Sequence, residues 1–169
     1  DLATGAVETV YTHCGEHALR GPNDLVFDGD GGFWFTDPGK ARARDRDVGG
    51  LYYARADGSG VQQRSWGLET PNGVGLSPDG TELYVAMTTT GRVYRWRLAG
   101  PGRFDSPYAN DRGALLMADP GENAFDSLAV DGEGHVCVAT IRDGGITDIA
   151  QDGTWTHVPT GDRLTTNIC

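Results

Sequence analysis

The chain has few of the residues that would indicate a redox framework, a nucleic-acid partner or a membrane. Its three cysteines, Cys14, Cys137 and Cys169, fit no metal-ligand spacing, and their odd number argues against a disulfide framework. Lysine and arginine total 14 against 24 aspartates and glutamates, so the formal net charge is −10 and no basic stripe is present. No apolar run approaches the roughly 18 residues of a membrane span, and no signal peptide opens the chain. We therefore predict a cytoplasmic protein without nucleic-acid or membrane partners.

The composition favours an all-β fold with many turns. The 169 residues include 26 glycines and 8 prolines, yet 38% of the chain is still hydrophobic. This balance is typical of a folded β protein rather than of a disordered chain, and the length suits one domain with a sizeable core.

One short pattern occurs three times. It reads NDLVFDGDGGFWFTD from Asn23, NGVGLSPDGTELYVAM from Asn72 and DSLAVDGEGHVCVAT from Asp126. Each copy has a polar residue, a short apolar strand, an Asp/Gly turn and a second apolar strand, and each is followed by a second hairpin. Four short strands per unit of about 40–50 residues are the signature of β-propeller blades.

The repeat predicts the organisation of the chain. We expect a single partial β-propeller domain over residues 1–169, with blades at about 21–68, 70–108 and 124–160. Residues 1–20, which include GAVETVYT from Gly5, and residues 165–169 are predicted to supply flanking strands of neighbouring blades.

The polar residue that opens each repeat is a candidate metal ligand. The first strand of a blade lines the central channel, so equivalent positions of successive blades form a ring. This polar ring would contain Asn23, Asn72, Asp126 and Asn167. All four offer side-chain oxygens, which suits a hard cation, with Ca²⁺ first and Mg²⁺ or Mn²⁺ as other choices.

A purely structural interpretation of these residues competes with the metal site. Asn and Asp before a strand often cap a turn through local hydrogen bonds, and this alternative is about equally good for any single position. Recurrence at one position of the repeat favours the metal. Asp24 either forms a turn or lines the cavity, and the sequence favours the turn.

Four segments of the sequence resemble those of a known protein family. GPNDLVFDGDGGFWFTDPGK, TPNGVGLSPDGTELYVA, FDSLAVDGEGHVCVAT and TNIC resemble the SMP-30/gluconolactonase/LRE family of calcium-dependent lactonases, in order and over nearly the whole chain. The resemblance implies a six-bladed β-propeller with Ca²⁺, or another divalent cation such as Mg²⁺, Mn²⁺ or Zn²⁺, at the channel mouth. It implies Asn72 and Asp126 as metal ligands, Asn23 as a residue that contacts substrate or metal, and Asp126 as the proton acceptor and donor.

The chain departs from the family pattern in three places. A metal-binding glutamate from the family's first blade has no counterpart here, and the chain stops at TNIC where the family continues. We therefore expect about half a propeller, either a fragment or a chain completed by another, with possible self-association through open sheet edges. Gly21 stands near the place of a sugar-contacting arginine in some relatives, so sugar recognition is not carried over there.

The function expected from this resemblance is metal-dependent hydrolysis of a sugar lactone. The cation would polarise the lactone carbonyl, and Asp126 would accept a proton from the attacking water. Two alternatives stay open at this point. The same site could hydrolyse an organophosphate or another ester, or the propeller could be a binding scaffold without chemistry.

Overall fold

The computed structural model describes residues 1–106, 115–121 and 123–169, and all regular structure in these ranges is β. The strands in chain order are β1 (His13–Cys14), β2 (His17–Ala18), β3 (Leu25–Phe27), β4 (Gly32–Asp37), β5 (Gly49–Arg55), β6 (Val61–Leu68), β7 (Pro71–Leu76), β8 (Glu82–Met87), β9 (Arg92–Gly100), β10 (Arg103–Phe104), β11 (Leu115–Ala118), β12 (Ala124–Val130), β13 (Val136–Ile141), β14 (Gly145–Ile149) and β15 (Trp155–Pro159). The described ranges contain no helix that is long and apolar enough to cross a membrane.

Three antiparallel sheets form the body of the chain. Blade 1 has the strand order β3-β4-β5-β6, blade 2 has β7-β8-β9-β10, and blade 3 has β12-β13-β14-β15. Each strand of these orders pairs with its neighbours in sequence, so every sheet is a simple meander, as in a propeller blade. The predicted all-β fold with about three propeller blades is confirmed.

Blade 2 has a strand that the sequence prediction missed. Strand β11 pairs with the outer edge of β9, with Leu116 opposite Tyr94 and Ala118 opposite Val93. Met117 and Ala118 are buried against blade 3, which explains why this short apolar run is held against the sheet. The predicted end of blade 2, at residue 108, lies outside the described residues.

The predicted flanking strands are largely absent from the described structure. Residues 5–12 and 165–169 form no strand, and residues 1–20 contain only the two-residue pair β1 and β2. Each segment has an isolated backbone hydrogen bond but no ladder: the Leu19 nitrogen donates to the Thr12 carbonyl oxygen at 2.9 Å, and the Ser127 nitrogen donates to the Thr166 carbonyl oxygen at 3.3 Å. The N-terminal segment instead packs on blade 1, where the Tyr11 hydroxyl donates to the carbonyl oxygen of Arg55 at 2.7 Å.

The core consists of two layers, each formed between adjacent blades. Alternate residues of β8 point to opposite sides, because successive side chains of a strand face opposite ways. The layer between blades 1 and 2 contains Trp34, Leu51, Tyr53, Val74, Leu83, Val85, Met87 and Trp96. The layer between blades 2 and 3 contains Tyr84, Ala86, Val93, Met117, Ala118, Phe125, Leu128, Val136, Val138 and Ile149. Blade 2 is therefore packed on both faces.

The first strands of blades 2 and 3 approach each other closely at Gly73. A Cβ atom on this glycine would lie 2.6 Å from the backbone oxygen of Asp126 and 2.6 Å from the backbone nitrogen of Leu128. No side chain fits there unless one of the two backbones moves. Gly73 therefore sets the spacing between the strands that carry Asn72 and Asp126.

We predict that Gly73→Ala destabilises the folded protein by about 1–3 kcal/mol, because overpacking against fixed backbone is costly. Urea unfolding of the full-length protein measures the change. Gly75→Ala is the matched control, since its Cβ would meet the flexible side chain of Leu128 at 2.6 Å rather than backbone. Equal losses for the two variants would contradict this interpretation of the strand spacing.

Candidate functional site

The polar residues that open blades 2 and 3 lie in matching β-bulges. In blade 2, Asn72–Gly73 together stand opposite Ala86, because the register shifts between Pro71 and Val74. In blade 3, Asp126–Ser127 stand opposite Ala139 in the same way. A bulge bends its strand and redirects the side chains there, and bulges are frequent beside functional sites.

Blade 1 has the same irregularity at the equivalent place. The backbone nitrogen of Asn23 donates to the carbonyl oxygen of Thr36 at 2.9 Å, and the nitrogen of Thr36 donates to the carbonyl oxygen of Asp24 at 3.0 Å. Asn23 and Asp24 thus share one partner residue across the hairpin. The sequence repeat therefore corresponds to a repeat of backbone geometry in the three blades.

The side chain of Asn72 is buried and only partly satisfied. The residue is 7% exposed, and its Nδ2 donates to the Thr88 hydroxyl at 3.1 Å. Its backbone oxygen accepts a hydrogen bond from the hydroxyl of Thr36 at 2.6 Å. Its side-chain oxygen Oδ1 has no hydrogen-bond partner among the described residues. A buried oxygen without a partner is costly, and a bound cation would satisfy it.

Asp126 lies beside Asn72 and is partly buried. Burial raises the pKa of the Asp126 carboxyl, and the nearby Asp24 charge raises it further. A side-chain hydrogen bond from Asn72 and one from the backbone of Ser127 act in the opposite direction. The fold therefore disfavours the ionised carboxylate at this position, and a neighbouring cation would reverse that preference.

The structure corrects the turn assignment of Asp24. One carboxylate oxygen, Oδ1, accepts a hydrogen bond from the backbone nitrogen of Leu25 at 2.9 Å. The other, Oδ2, accepts from the Ser127 hydroxyl at 2.8 Å and from the Val74 nitrogen at 3.4 Å. The side chain thus reaches the first strands of blades 2 and 3 and is partly buried between them. The turn was favoured because sequence shows local partners more readily than distant ones.

The remaining members of the polar ring are more exposed. Asn23 is exposed and borders a cavity of about 290 Å³ with Tyr11, Leu19 and Phe35. Asn167 is also exposed, and its Oδ1 accepts a local hydrogen bond from the nitrogen of Ile168 at 2.7 Å. The structure therefore brings Asn72 and Asp126 together, while the participation of Asn23 stays a prediction.

Three hydroxyl side chains of the site were missed by sequence reasoning. Thr36, Thr88 and Ser127 hold Asn72 or Asp24 through the hydrogen bonds described above. Thr36 follows the apolar run Phe33–Phe35 of strand β4, a change to polar residues that the sequence shows, and in the structure it is fully buried. The described ranges contain no cluster of three or more histidine, cysteine or acidic side chains able to hold a metal ion. The candidate site instead combines one carboxylate with amide oxygens.

The bulged first strands and the meander sheets define the chain as part of a β-propeller. A model of the "SMP-30/Gluconolactonase/LRE-like region" matches residues 1–169, and the chain belongs to this family. It is 32% identical, over 124 residues, to a lactonase called drp35 from Staphylococcus haemolyticus. That match covers 73% of this chain and 37% of the relative.

Solved structures show the same likeness. A gluconolactonase from Xanthomonas campestris superposes with a TM-score of 0.75 and 26% identity, over 94% of this chain and 53% of the other. A calcium-binding protein, regucalcin, from Agrobacterium tumefaciens gives a TM-score of 0.62 and 25% identity, over 81% and 43%. The present chain therefore spans between about a third and about half of the proteins that it matches.

We predict a pH-dependent difference in stability between the wild type and Asp126→Asn when a chelator is present. The raised pKa of Asp126 means that the folded state favours the protonated carboxyl. Its contribution to stability is complete below the unfolded-state pKa of about 3.9 and is lost as pH rises through the folded-state value. The asparagine variant should therefore gain stability relative to the wild type as pH rises. Urea unfolding of the full-length protein between about pH 3.5 and 7 measures this gain.

Asp131→Asn provides a control of opposite sign. Backbone hydrogen bonds, the first from His135, lower the pKa of Asp131, so its stabilising effect is present above the unfolded-state pKa and is lost in acid. This variant should lose stability relative to the wild type as pH rises. A parallel response of the two variants would contradict the local origin of the Asp126 effect.

Proposed function

We propose that the full-length protein hydrolyses a lactone with the help of a divalent cation, Ca²⁺ in the first place. The observation that carries this proposal is the unpartnered, buried Oδ1 of Asn72 beside the carboxylate of Asp126. The lactonase and gluconolactonase relatives support the substrate class, and the calcium-binding relative supports the cation. Because the chain spans only part of these proteins, the activity is proposed for the complete protein.

The donor atoms present fit a hard cation. Asn72 and Asp126 would be ligands, and Asn23 would be a third ligand or a substrate contact. All three offer oxygen, which calcium and magnesium prefer over nitrogen and sulfur. One carboxylate balances only half of a divalent charge. The further glutamate that the family resemblance implies on another blade would balance the other half.

The cation, when bound, would supply Lewis-acid polarisation of the lactone carbonyl. Asp126 would accept a proton from a water molecule as that water forms a bond to the carbonyl carbon. It would return the proton to the ring oxygen as the carbon–oxygen bond breaks, which gives the open hydroxy acid. Asn72, whose side chain lies beside the Asp126 carboxyl and affects its pKa, would orient that carboxyl for the transfer.

Asn23 is suited to bind the substrate and would take no part in proton transfer. Its side chain is exposed, so its amide can meet a ligand without first breaking a buried contact. An amide both donates and accepts hydrogen bonds, which matches the hydroxyl groups of a sugar lactone. The sugar itself would be selected by the rest of the complete protein.

We predict that Asp126→Asn in the full-length protein lowers calcium affinity and lowers turnover further. The change keeps size and one oxygen ligand but removes a negative charge and the proton acceptor. Loss of a general base typically costs about 10²–10⁴-fold in rate. Calorimetric calcium titration and a lactone assay at saturating calcium measure the two effects separately.

Asn72→Asp is the matched variant, and it changes the charge of the site in the opposite direction. It keeps the oxygen and adds a negative charge, so calcium should bind at least as tightly as to the wild type. Recovery of wild-type turnover by Asp126→Asn in excess calcium would make Asp126 a ligand only. Hydrolysis of a phosphotriester without lactone hydrolysis would overturn the substrate class, and calcium binding without either activity would favour a binding scaffold.

A further inference from the structure

Asp24 is connected to three successive blades. It lies at the start of blade 1, and its Oδ2 accepts hydrogen bonds from Val74 in blade 2 and Ser127 in blade 3. These partners are 50 and 103 residues away in sequence. A carboxylate that only caps its own turn needs no partner at such distances.

The partners of Asp24 adjoin the candidate cation ligands. Ser127 follows Asp126 directly, and Val74 lies two residues after Asn72. One carboxylate oxygen therefore contacts both bulged strands beside the residues that those bulges redirect. Movement of either bulge relative to the other would stretch a hydrogen bond to Asp24.

A second connection runs through Thr36. The backbone nitrogen of Asp24 donates to the Thr36 hydroxyl at 3.3 Å, and that hydroxyl donates to the backbone oxygen of Asn72 at 2.6 Å. The main chain of Asp24 is thus connected to Asn72 through the Thr36 hydroxyl, while its side chain is hydrogen-bonded to the strand that carries Asp126. Both connections start from Asp24.

We propose that Asp24 is a positioning residue of the candidate cation site, which ties the three first strands together and fixes the separation of Asn72 and Asp126. This assignment rests on the proposed function. It gives Asp24 no contact with substrate and no proton transfer. An asparagine does not replace it fully, because one amide oxygen cannot accept from both Leu25 and Ser127 in the present geometry.

The test uses Asp24→Asn, Ser127→Ala and the double variant in the full-length protein. Ser127→Ala is the decisive arm, because it removes the hydroxyl that contacts Asp24 without changing any charge. We expect its calcium dissociation constant to rise about tenfold, the usual effect of one hydrogen bond to a charged group. Asp24→Asn should lose more affinity, since it also removes a negative charge near the cation.

The calcium affinity of the double variant shows whether Ser127 acts through Asp24 or whether the two changes only weaken the fold independently. If Ser127 acts through Asp24, the double variant should bind calcium no more weakly than Asp24→Asn alone. Asp131→Asn is the control, because it removes the same charge from a hairpin turn whose carboxylate accepts local backbone hydrogen bonds, from Glu133 and His135 at 2.9 Å. Its calcium affinity should stay at the wild-type value.

Different experimental results would overturn the positioning role of Asp24 and the proposed function. A wild type that binds calcium and hydrolyses lactone, with Ser127→Ala equal to it in calcium affinity, would overturn the positioning role and leave the proposed function intact. Additive losses in the double variant would also overturn that role. A wild type that neither binds calcium nor hydrolyses lactone would overturn the proposed function and the assignment of Asp24 with it.

Discussion

The candidate site depends on the close approach of the first strands of successive blades. Gly73 permits this approach because any Cβ there would meet the backbone of blade 3. At this short distance, the bulges place Asn72 and Asp126 side by side, close enough that the Asn72 side chain affects the pKa of the Asp126 carboxyl. The packing of Val74 and Leu128 into the two interblade layers then holds the strands in this relation. Backbone spacing, more than any single side chain, creates the site.

The same spacing creates an electrostatic problem. It brings the carboxylate of Asp24 close enough to Asp126 that the charge of Asp24, in addition to burial, raises the pKa of the Asp126 carboxyl. Asp24 is compensated by three hydrogen-bond donors, whereas burial leaves Asp126 less favourable in its ionised form. Negative charge with an unpartnered amide oxygen beside it is the arrangement that a cation stabilises. The close approach of the strands at Gly73 is therefore consistent with the proposed cation site beside Asn72 and Asp126.

The sequence predicted the blades, and it brought two members of the candidate site to attention, because both features are periodic. Asn72 and Asp126 stand at the same position of a repeat, so their proximity follows from propeller geometry alone. The role of Asp24 could not be predicted in this way, since the other two repeats have Gly73 and Ser127 at its position and no carboxylate recurs there. Strand β11 was missed for a related reason, because its partner β9 already had a predicted neighbour.

The unequal burial of equivalent residues follows from the stacking of the blades. Asn72 belongs to blade 2, which is packed between blades 1 and 3, and its side chain is shielded from both sides. Asn23 belongs to blade 1, whose other face is covered by the N-terminal segment through Tyr11, Cys14 and Leu19 rather than by a described sheet. Identical residues at identical bulges therefore differ in solvation. Since an amide oxygen binds a cation most usefully where water cannot compete, this difference favours Asn72 as a ligand and Asn23 as a substrate contact.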